Sequence, residues 1–136
     1  MTHHVGQMLD THPRSAVVDR DLLTEAIDEL TACADTCTTC ADACLAEEQV
    51  SQLRRCIRLN LDCADACRTT AAMLLRQTDP DRDTLRATVE ACAQACRACG
   101  QECDQHAEKH EHCRVCAEAC RRCAEACDRV LEALAA

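Results

Sequence analysis

The chain has 136 residues, enough for one domain with a buried core, and its formal net charge is −9 at neutral pH. That charge argues against a nucleic-acid partner, because nucleic acids select basic surfaces. The sequence contains 16 Cys but no Phe, Tyr or Trp, so cysteine must take the place of much of the usual core material.

Membrane and export signals are not apparent in the sequence. No stretch reaches the roughly 20 apolar residues that span a bilayer. The first residues lack the basic and apolar segments of a secretory signal. We therefore expect a cytoplasmic protein with no membrane partner, whose thiols stay reduced.

The predicted elements are four long helices, because helix-forming residues dominate and only two Gly and two Pro interrupt them. Residues 1–18 are predicted to form an N-terminal arm with room for a short helical turn. Residues 19–136 are predicted to form the bundle, with Ser51 as a candidate N-cap. The four predicted helices cover, in order, about 19–46, 51–77, 80–109 and 111–133. Short connections between them predict an all-α fold, an antiparallel up-down-up-down four-helix bundle with a Cys-lined core.

The cysteines recur at spacings of three, four and seven residues along each predicted helix. This is the spacing of side chains that face the core of a bundle. In the order of the four helices the positions are Cys33, Cys37, Cys40, Cys44; Cys56, Cys63, Cys67; Cys92, Cys96, Cys99, Cys103; and Cys113, Cys116, Cys120, Cys123, Cys127. Asn60 takes the core-facing position between Cys56 and Cys63.

Apolar residues continue the same core-facing positions towards one end of the bundle. Antiparallel connections bring the apolar segments of all four helices together there, and we call this the apolar end. Its predicted members are Leu23, Ala26, Leu30, Leu74, Leu85, Val89, Val130 and Leu134.

Histidines cluster at the opposite end. His106 and His110 continue the core-facing spacing beyond the last cysteine of the third helix, whereas His112 lies off the strict spacing. The helix connections place these histidines beside Glu47 and Glu48. We call this end the mouth, and expect the thiol-lined interior to open to solvent there.

Metal binding is the favoured interpretation of the cysteines. A disulfide framework is disfavoured, because Cβ atoms four residues apart on a helix lie ~5–6 Å from each other and a disulfide needs ~3.5–4.5 Å. Inert packing of cysteine as a small apolar residue does not explain why all sixteen occupy core-facing positions. Thiolates are soft ligands that select Cu(I), Zn(II) or iron–sulfur clusters, although the loop spacings typical of iron–sulfur proteins are absent.

Charge favours copper over zinc. A buried thiolate must be compensated. Sixteen Cu(I) ions would neutralise sixteen thiolates, whereas four Zn(II) ions would supply only eight positive charges. The candidate metal ligands are all sixteen cysteines together with His106, His110 and His112, and the expected cargo is Cu(I) at roughly one ion per Cys.

With these core-facing cysteines on four helices, the sequence over roughly residues 20–134 resembles the cytosolic branch of the copper storage protein family. Members of that family are the Cys-rich four-helix-bundle copper-binding proteins of bacteria. The resemblance implies a preformed bundle filled by many Cu(I) ions, bound mainly by Cys thiolates, and a homotetrameric assembly. Exported members carry a signal peptide and often place Met at the mouth. This sequence has neither feature and carries His at the mouth, which matches the cytosolic form.

Cytosolic storage or sequestration of Cu(I) is therefore the favoured function, with the histidine mouth serving uptake and release. We expect no enzymatic activity, because no nucleophile–base constellation is evident. Copper chaperones or small thiols are expected donors or acceptors. The alternatives are a chaperone or regulator that transfers single ions, a multi-zinc-binding protein and, less favoured, a thiol or copper oxidoreductase.

Overall fold

The computed structural model describes residues 3–136, and over this range it contains helices and their connections but no strand. The elements are α1 (His3–Asp10), α2 (Arg20–Leu45), a 3₁₀ turn (Val50–Gln52), α3 (Arg54–Leu74), α4 (Arg82–His106) and α5 (Glu111–Ala135). Helices α2 and α4 each pack against both α3 and α5. The predicted all-α four-helix bundle is thus confirmed. No described helix is both long and apolar enough to cross a membrane.

Aspartates cap the two helices that begin at the apolar end. The carboxylate of Asp19 accepts hydrogen bonds from the backbone N–H groups of Asp21 and Leu22, both at 3.1 Å. Asp81 accepts one from the backbone N–H of Thr84 at 3.0 Å. Each carboxylate satisfies backbone donors that the first helical turn leaves free.

The helix bounds differ from the predicted ones at three connections. Ser51, the candidate cap, lies inside the 3₁₀ turn, and α3 begins only after Leu53. Helix α3 ends at Leu74 instead of about residue 77. Helix α4 begins at Arg82 instead of about residue 80, because Asp81 caps it. Helix α4 ends at His106 instead of residue 109. Residue His110 then adopts an extended backbone with φ −134° and ψ 109°, which separates α4 from α5.

The N-terminal arm contains a full helix, α1, and is attached at the apolar end. Arg20 donates from Nε to Asp10 Oδ1 at 2.8 Å, which connects α1 to the start of α2. The backbone N–H of Val17 donates to Gln77 Oε1 at 2.7 Å. The arm therefore lies against the chain at the end of α3, on the side of the bundle opposite the mouth.

The bundle core divides along its length into an apolar part and a thiol part. The predicted members of the apolar end are all buried, as is the neighbouring Ile27. Leu53 is a buried apolar residue at the mouth side, outside the predicted pattern. Gly100 suits the close packing of α4 on α5, because a Cβ there would lie 3.3 Å from the Cβ of Cys120, closer than an ordinary van der Waals contact. The four backbones thus hold a narrow interior into which the cysteines point.

Candidate metal centre

All sixteen cysteines are buried free thiols. Their exposed fractions lie between 0% and 2%. Every helix of the bundle contributes several of them to the core. A core built in this way presents soft sulfur ligands from four directions to any ion inside it.

The thiols contact one another both along a helix and between helices. Within one helix, Cys33 Sγ lies 3.8 Å from Cys37 Sγ. Between helices, Cys37 Sγ lies 3.6 Å from Cys120 Sγ and 3.7 Å from Cys116 Sγ on α5. It also lies 4.0 Å from Cys99 Sγ on α4. These separations are well beyond a disulfide bond of about 2.05 Å, and they bring thiols close enough to share an ion.

The groups of thiols that could hold an ion overlap one another. In each group the ligand atoms all lie within 4.8 Å of one another. Three of these groups are Cys33, Cys63, Cys67, Cys96; Cys33, Cys37, Cys63, Cys120; and Cys37, Cys99, Cys116, Cys120. Cys33 and Cys63 belong to the first two groups, and Cys37 and Cys120 to the second and third. A sulfur that serves two neighbouring groups can bridge two ions, so this geometry suits a continuous multi-ion cluster rather than separate closed sites.

Burial favours the neutral form of two thiols near the mouth, Cys44 and Cys113. It raises the pKa of Cys44 to about 11, and the neighbouring Cys56 contributes in the same direction. Burial also raises the pKa of Cys113 above its ordinary value. A low-dielectric environment disfavours the charged form of a thiol. Burial therefore disfavours a thiolate at these two positions, and the binding of an ion by Cys44 or Cys113 must displace a proton.

Asn60 places a single amide among the thiols. Its Oδ1 accepts from Cys116 Sγ at 2.9 Å and from Cys99 Sγ at 3.2 Å. Its Nδ2 donates to the backbone carbonyl of Cys56 at 2.8 Å, and lies 3.7 Å from Cys103 Sγ. Because Nδ2 also lies 3.4 Å from Cys56 Sγ, the amide orders thiols of α3, α4 and α5, and it supplies an oxygen at the level where another cysteine would fit the spacing.

His112 is the histidine whose ring contacts the thiols. Its Nδ1 lies 3.4 Å from Cys40 Sγ and 3.7 Å from Cys113 Sγ, and its Nε2 lies 2.9 Å from Glu47 Oε2. His112 and the thiols of Cys40, Cys44 and Cys113 form one of the candidate ion-holding sets. The hydrogen bond from His112, and the charges of both neighbouring histidines, lower the pKa of the Glu47 carboxyl.

The other two histidines are paired with carboxylates at the mouth. His106 Nε2 lies 2.9 Å from Glu102 Oε2. His110 Nδ1 lies 3.0 Å from Glu47 Oε2, and the His110 ring stacks on that of His112 with centroids 5.6 Å apart. The carboxylate partners were not among the candidate site residues. For Glu102 a sequence signal exists, because it precedes His106 by four residues and so lies on the same helix face.

This arrangement has counterparts among known proteins. The profile of the Csp family, described as copper storage protein, matches residues 19–132. The chain belongs to the copper storage protein family. That result confirms the resemblance noted in the sequence. Among curated proteins, none matches the sequence significantly.

Solved structures of one family member are similar along most of the chain. The copper storage protein Ccsp from Streptomyces lividans loaded with 10 copper equivalents is 50% identical, with a TM-score of 0.92, covering 95% of this chain and 98% of that one. A second structure describes copper loading to a cytosolic copper storage protein from Streptomyces lividans, with five coppers. It is 53% identical, with a TM-score of 0.81, covering 82% of this chain and 93% of that one.

Proposed function

We propose that this member of the copper storage protein family stores and sequesters many Cu(I) ions in the cytosol. The observation that carries the proposal is the overlap between neighbouring thiol groups, in which residues such as Cys37 and Cys120 belong to two groups at once. Bridging thiolates allow about one monovalent ion per thiolate and leave the core neutral, which four-coordinate zinc sites would not. A soft metal with a single charge fits both requirements.

The proposed ligands are the sixteen core cysteines together with the three histidines of the mouth. His112 is the proposed ligand of the outermost ions because its Nδ1 already lies 3.4 Å from Cys40 Sγ. His106 and His110 are proposed to receive and release ions at the mouth. Residues 19–136 are proposed to form the storage domain, with residues 1–18 as an arm outside it.

Storage needs no catalytic step, and we propose that the protein is not an enzyme. Small thiols or copper chaperones are the proposed donors and acceptors, since each can exchange a thiolate-bound ion. The homotetramer implied by the family resemblance is proposed as the assembly. Analytical ultracentrifugation of the reduced protein, with and without copper, tests that assembly directly.

Anaerobic titration of the reduced protein with Cu(I), against a competing chelator, tests the function. Storage predicts saturation near sixteen ions per chain, one for each cysteine. A chaperone would saturate at about one ion. Zinc titrated in the same way would saturate at about four ions if each takes four thiolates. Turnover of oxygen or of a thiol substrate by the loaded protein would instead support an oxidoreductase.

A further inference from the structure

One carboxylate oxygen at the mouth contacts two histidines. Glu47 Oε2 lies 3.0 Å from His110 Nδ1 and 2.9 Å from His112 Nε2. Glu47 belongs to the connection between α2 and α3, whereas both histidines stand at the start of α5. The contact therefore joins two separate connections of the bundle, and it places a negative charge at a helix N-terminus, where the helix dipole favours it.

A carboxylate that accepts from an imidazole determines which ring nitrogen carries the proton. In His112 the bond to Glu47 assigns the proton to Nε2 and leaves the lone pair of Nδ1 directed at Cys40, 3.4 Å away. His110 Nδ1 lies 3.0 Å from the same oxygen as an ion-pair contact, and a carboxylate at that distance favours a proton on Nδ1 over a lone pair, which leaves the lone pair on Nε2. Histidines that bind metals commonly donate their other N–H to a carboxylate in this way.

The contact also fixes how the two rings stand. His110 is the N-cap residue of α5, but its side chain makes no capping hydrogen bond to the helix backbone. It is directed to Glu47 instead, where it is 8% exposed and stacks on His112 with an interplanar angle of 26°. Glu48, the next residue along the chain, is exposed to solvent. The pairing is thus specific to one of two adjacent glutamates.

Glu47 is suited to orient ligands rather than to act as one. A hard carboxylate is a poor ligand for soft Cu(I), and its hydrogen-bonding oxygen is occupied by two ring nitrogens. His106 is oriented separately, by Glu102. The mouth therefore has two independent positioning contacts, of which only the Glu47 contact is connected through an imidazole to a core thiol.

We propose that Glu47 is a positioning residue of the mouth: it holds His110 and His112 as a stacked pair, in the tautomers that leave His110 Nε2 and His112 Nδ1 free to accept an incoming Cu(I). This inference rests on the proposed storage function, because it assigns the two imidazoles a part in copper uptake. The tautomers themselves exist before copper arrives and can be measured without it.

The first experiment uses the reduced, copper-free protein with ¹⁵N-labelled imidazole rings, studied by NMR in mildly alkaline buffer. The decisive signal is that of His110, because free imidazole side chains favour the Nε2–H form. We expect His110 to be protonated at Nδ1 in the natural chain and to shift towards the Nε2–H form in Glu47→Ala. Glu48→Ala should leave the spectrum unchanged. An Nε2–H form in the natural chain, or no change in Glu47→Ala, would overturn the proposal whether or not the protein stores copper.

The second experiment measures uptake of the first ions from a Cu(I)–chelator complex. We expect Glu47→Ala to weaken uptake by about 10- to 100-fold, the usual cost of losing an outer-shell partner of a ligand, without changing the total number of ions bound. Glu47→Gln keeps an acceptor oxygen and should lie closer to the natural chain than to Glu47→Ala. Glu48→Ala is the matched control. Equal losses in Glu47→Gln and Glu47→Ala would assign the effect to charge rather than to positioning, and would overturn the proposal. Circular dichroism of each variant establishes that the bundle is intact.

Discussion

The side-chain oxygen of Asn60 lies 2.9 Å from Cys116 Sγ, deep inside a core that otherwise consists of thiols at this level. A second thiol, that of Cys99, donates to the same oxygen. One amide thus satisfies donors on two helices at once. In the metal-free protein it serves as a structural connection, and it stands where ions would be bound.

Replacement of Asn60 with Ala should destabilise the metal-free bundle. The change leaves buried polar groups without a partner, which costs about 1–3 kcal/mol in the free energy of unfolding. Chemical denaturation of the reduced protein, followed by circular dichroism, measures this loss. Thr39→Ala is the control, because that hydroxyl is exposed and bonds only within its own helix. Equal stabilities of the two variants would contradict the structural role of Asn60.

Truncation of a side chain at the apolar end should lower the stability of the bundle without changing the number of Cu(I) ions that it binds. Leu30 is 1% exposed among the apolar residues, so Leu30→Ala should lower the free energy of unfolding by about 2–5 kcal/mol. The number of Cu(I) ions bound at saturation should not change, because no thiol is lost. Leu61→Ala, at a side chain that is 47% exposed, should alter neither quantity. A fall in copper capacity in Leu30→Ala would show that the two parts of the core are not independent.

Loss of His112 should weaken uptake of the outermost ions. Its Nδ1 faces the thiol of Cys40, so His112→Ala removes a ligand and should reduce affinity by at least the roughly 10-fold that loss of an outer-shell partner costs. Competition with a Cu(I) chelator at low loading measures this. His12→Ala is the matched control, because His12 lies on the N-terminal arm beside Thr78. Identical behaviour of the two variants would exclude His112 as a ligand.

The stability of the metal-free protein should fall at alkaline pH. Burial raises the folded-state pKa of Cys44 to about 11, above the ~8.5 of an exposed thiol. Folding therefore favours the neutral thiol. This contribution is fully present below pH ~8.5 and is lost as the pH rises through the folded pKa. Denaturation of the reduced protein at a series of pH values measures how steeply the free energy of unfolding falls with pH.

Few side chains other than the thiols titrate at alkaline pH, because the chain has no Tyr and only one lysine, Lys109. Cys44→Ser removes one titrating thiol and should reduce the slope. A stability that is constant or rises between pH ~8.5 and 11 would contradict burial as the dominant influence on Cys44.

Copper uptake should release protons. Because thiols such as Cys44 and Cys113 are held neutral by burial, each must lose its proton to bind Cu(I) as thiolate. We expect about one proton per ion, measured in weakly buffered solution with a pH indicator during anaerobic titration. Uptake without proton release would mean that the core already contains thiolates.

The core could be predicted from the sequence because spacing alone determines which side chains face inwards. Gaps of three, four and seven residues put every cysteine inside, and all sixteen are buried. The mouth was less predictable, since the helical spacing that favours His106 and His110 over His112 is interrupted there. Helix α4 ends at His106 and α5 restarts after an extended His110. This new start rotates His112 towards Cys40.

The other features that the sequence did not predict depend on contacts between residues that are distant in sequence. Glu47 was placed near the histidines by the order of the helices, but the sharing of one oxygen between His110 and His112 depends on how two connections meet. The arm was expected to have room for a helical turn, and its helix α1 covers His3–Asp10. The Arg20–Asp10 ion pair, between residues ten positions apart, connects this helix to the start of α2.

The antiparallel path brings both ends of the described chain to the apolar end of the bundle. Arg82, at the start of α4, donates to the backbone carbonyl of Leu134 at 2.7 Å, and α1 is held at the start of α2 by Arg20. With a rise of about 1.5 Å per residue, the 25 residues of α5 place the C-terminus roughly 38 Å from the mouth. A surface tether or a fused reporter at the C-terminus would therefore leave His110 and His112 unobstructed, so that the filling and emptying of single immobilised molecules can be followed.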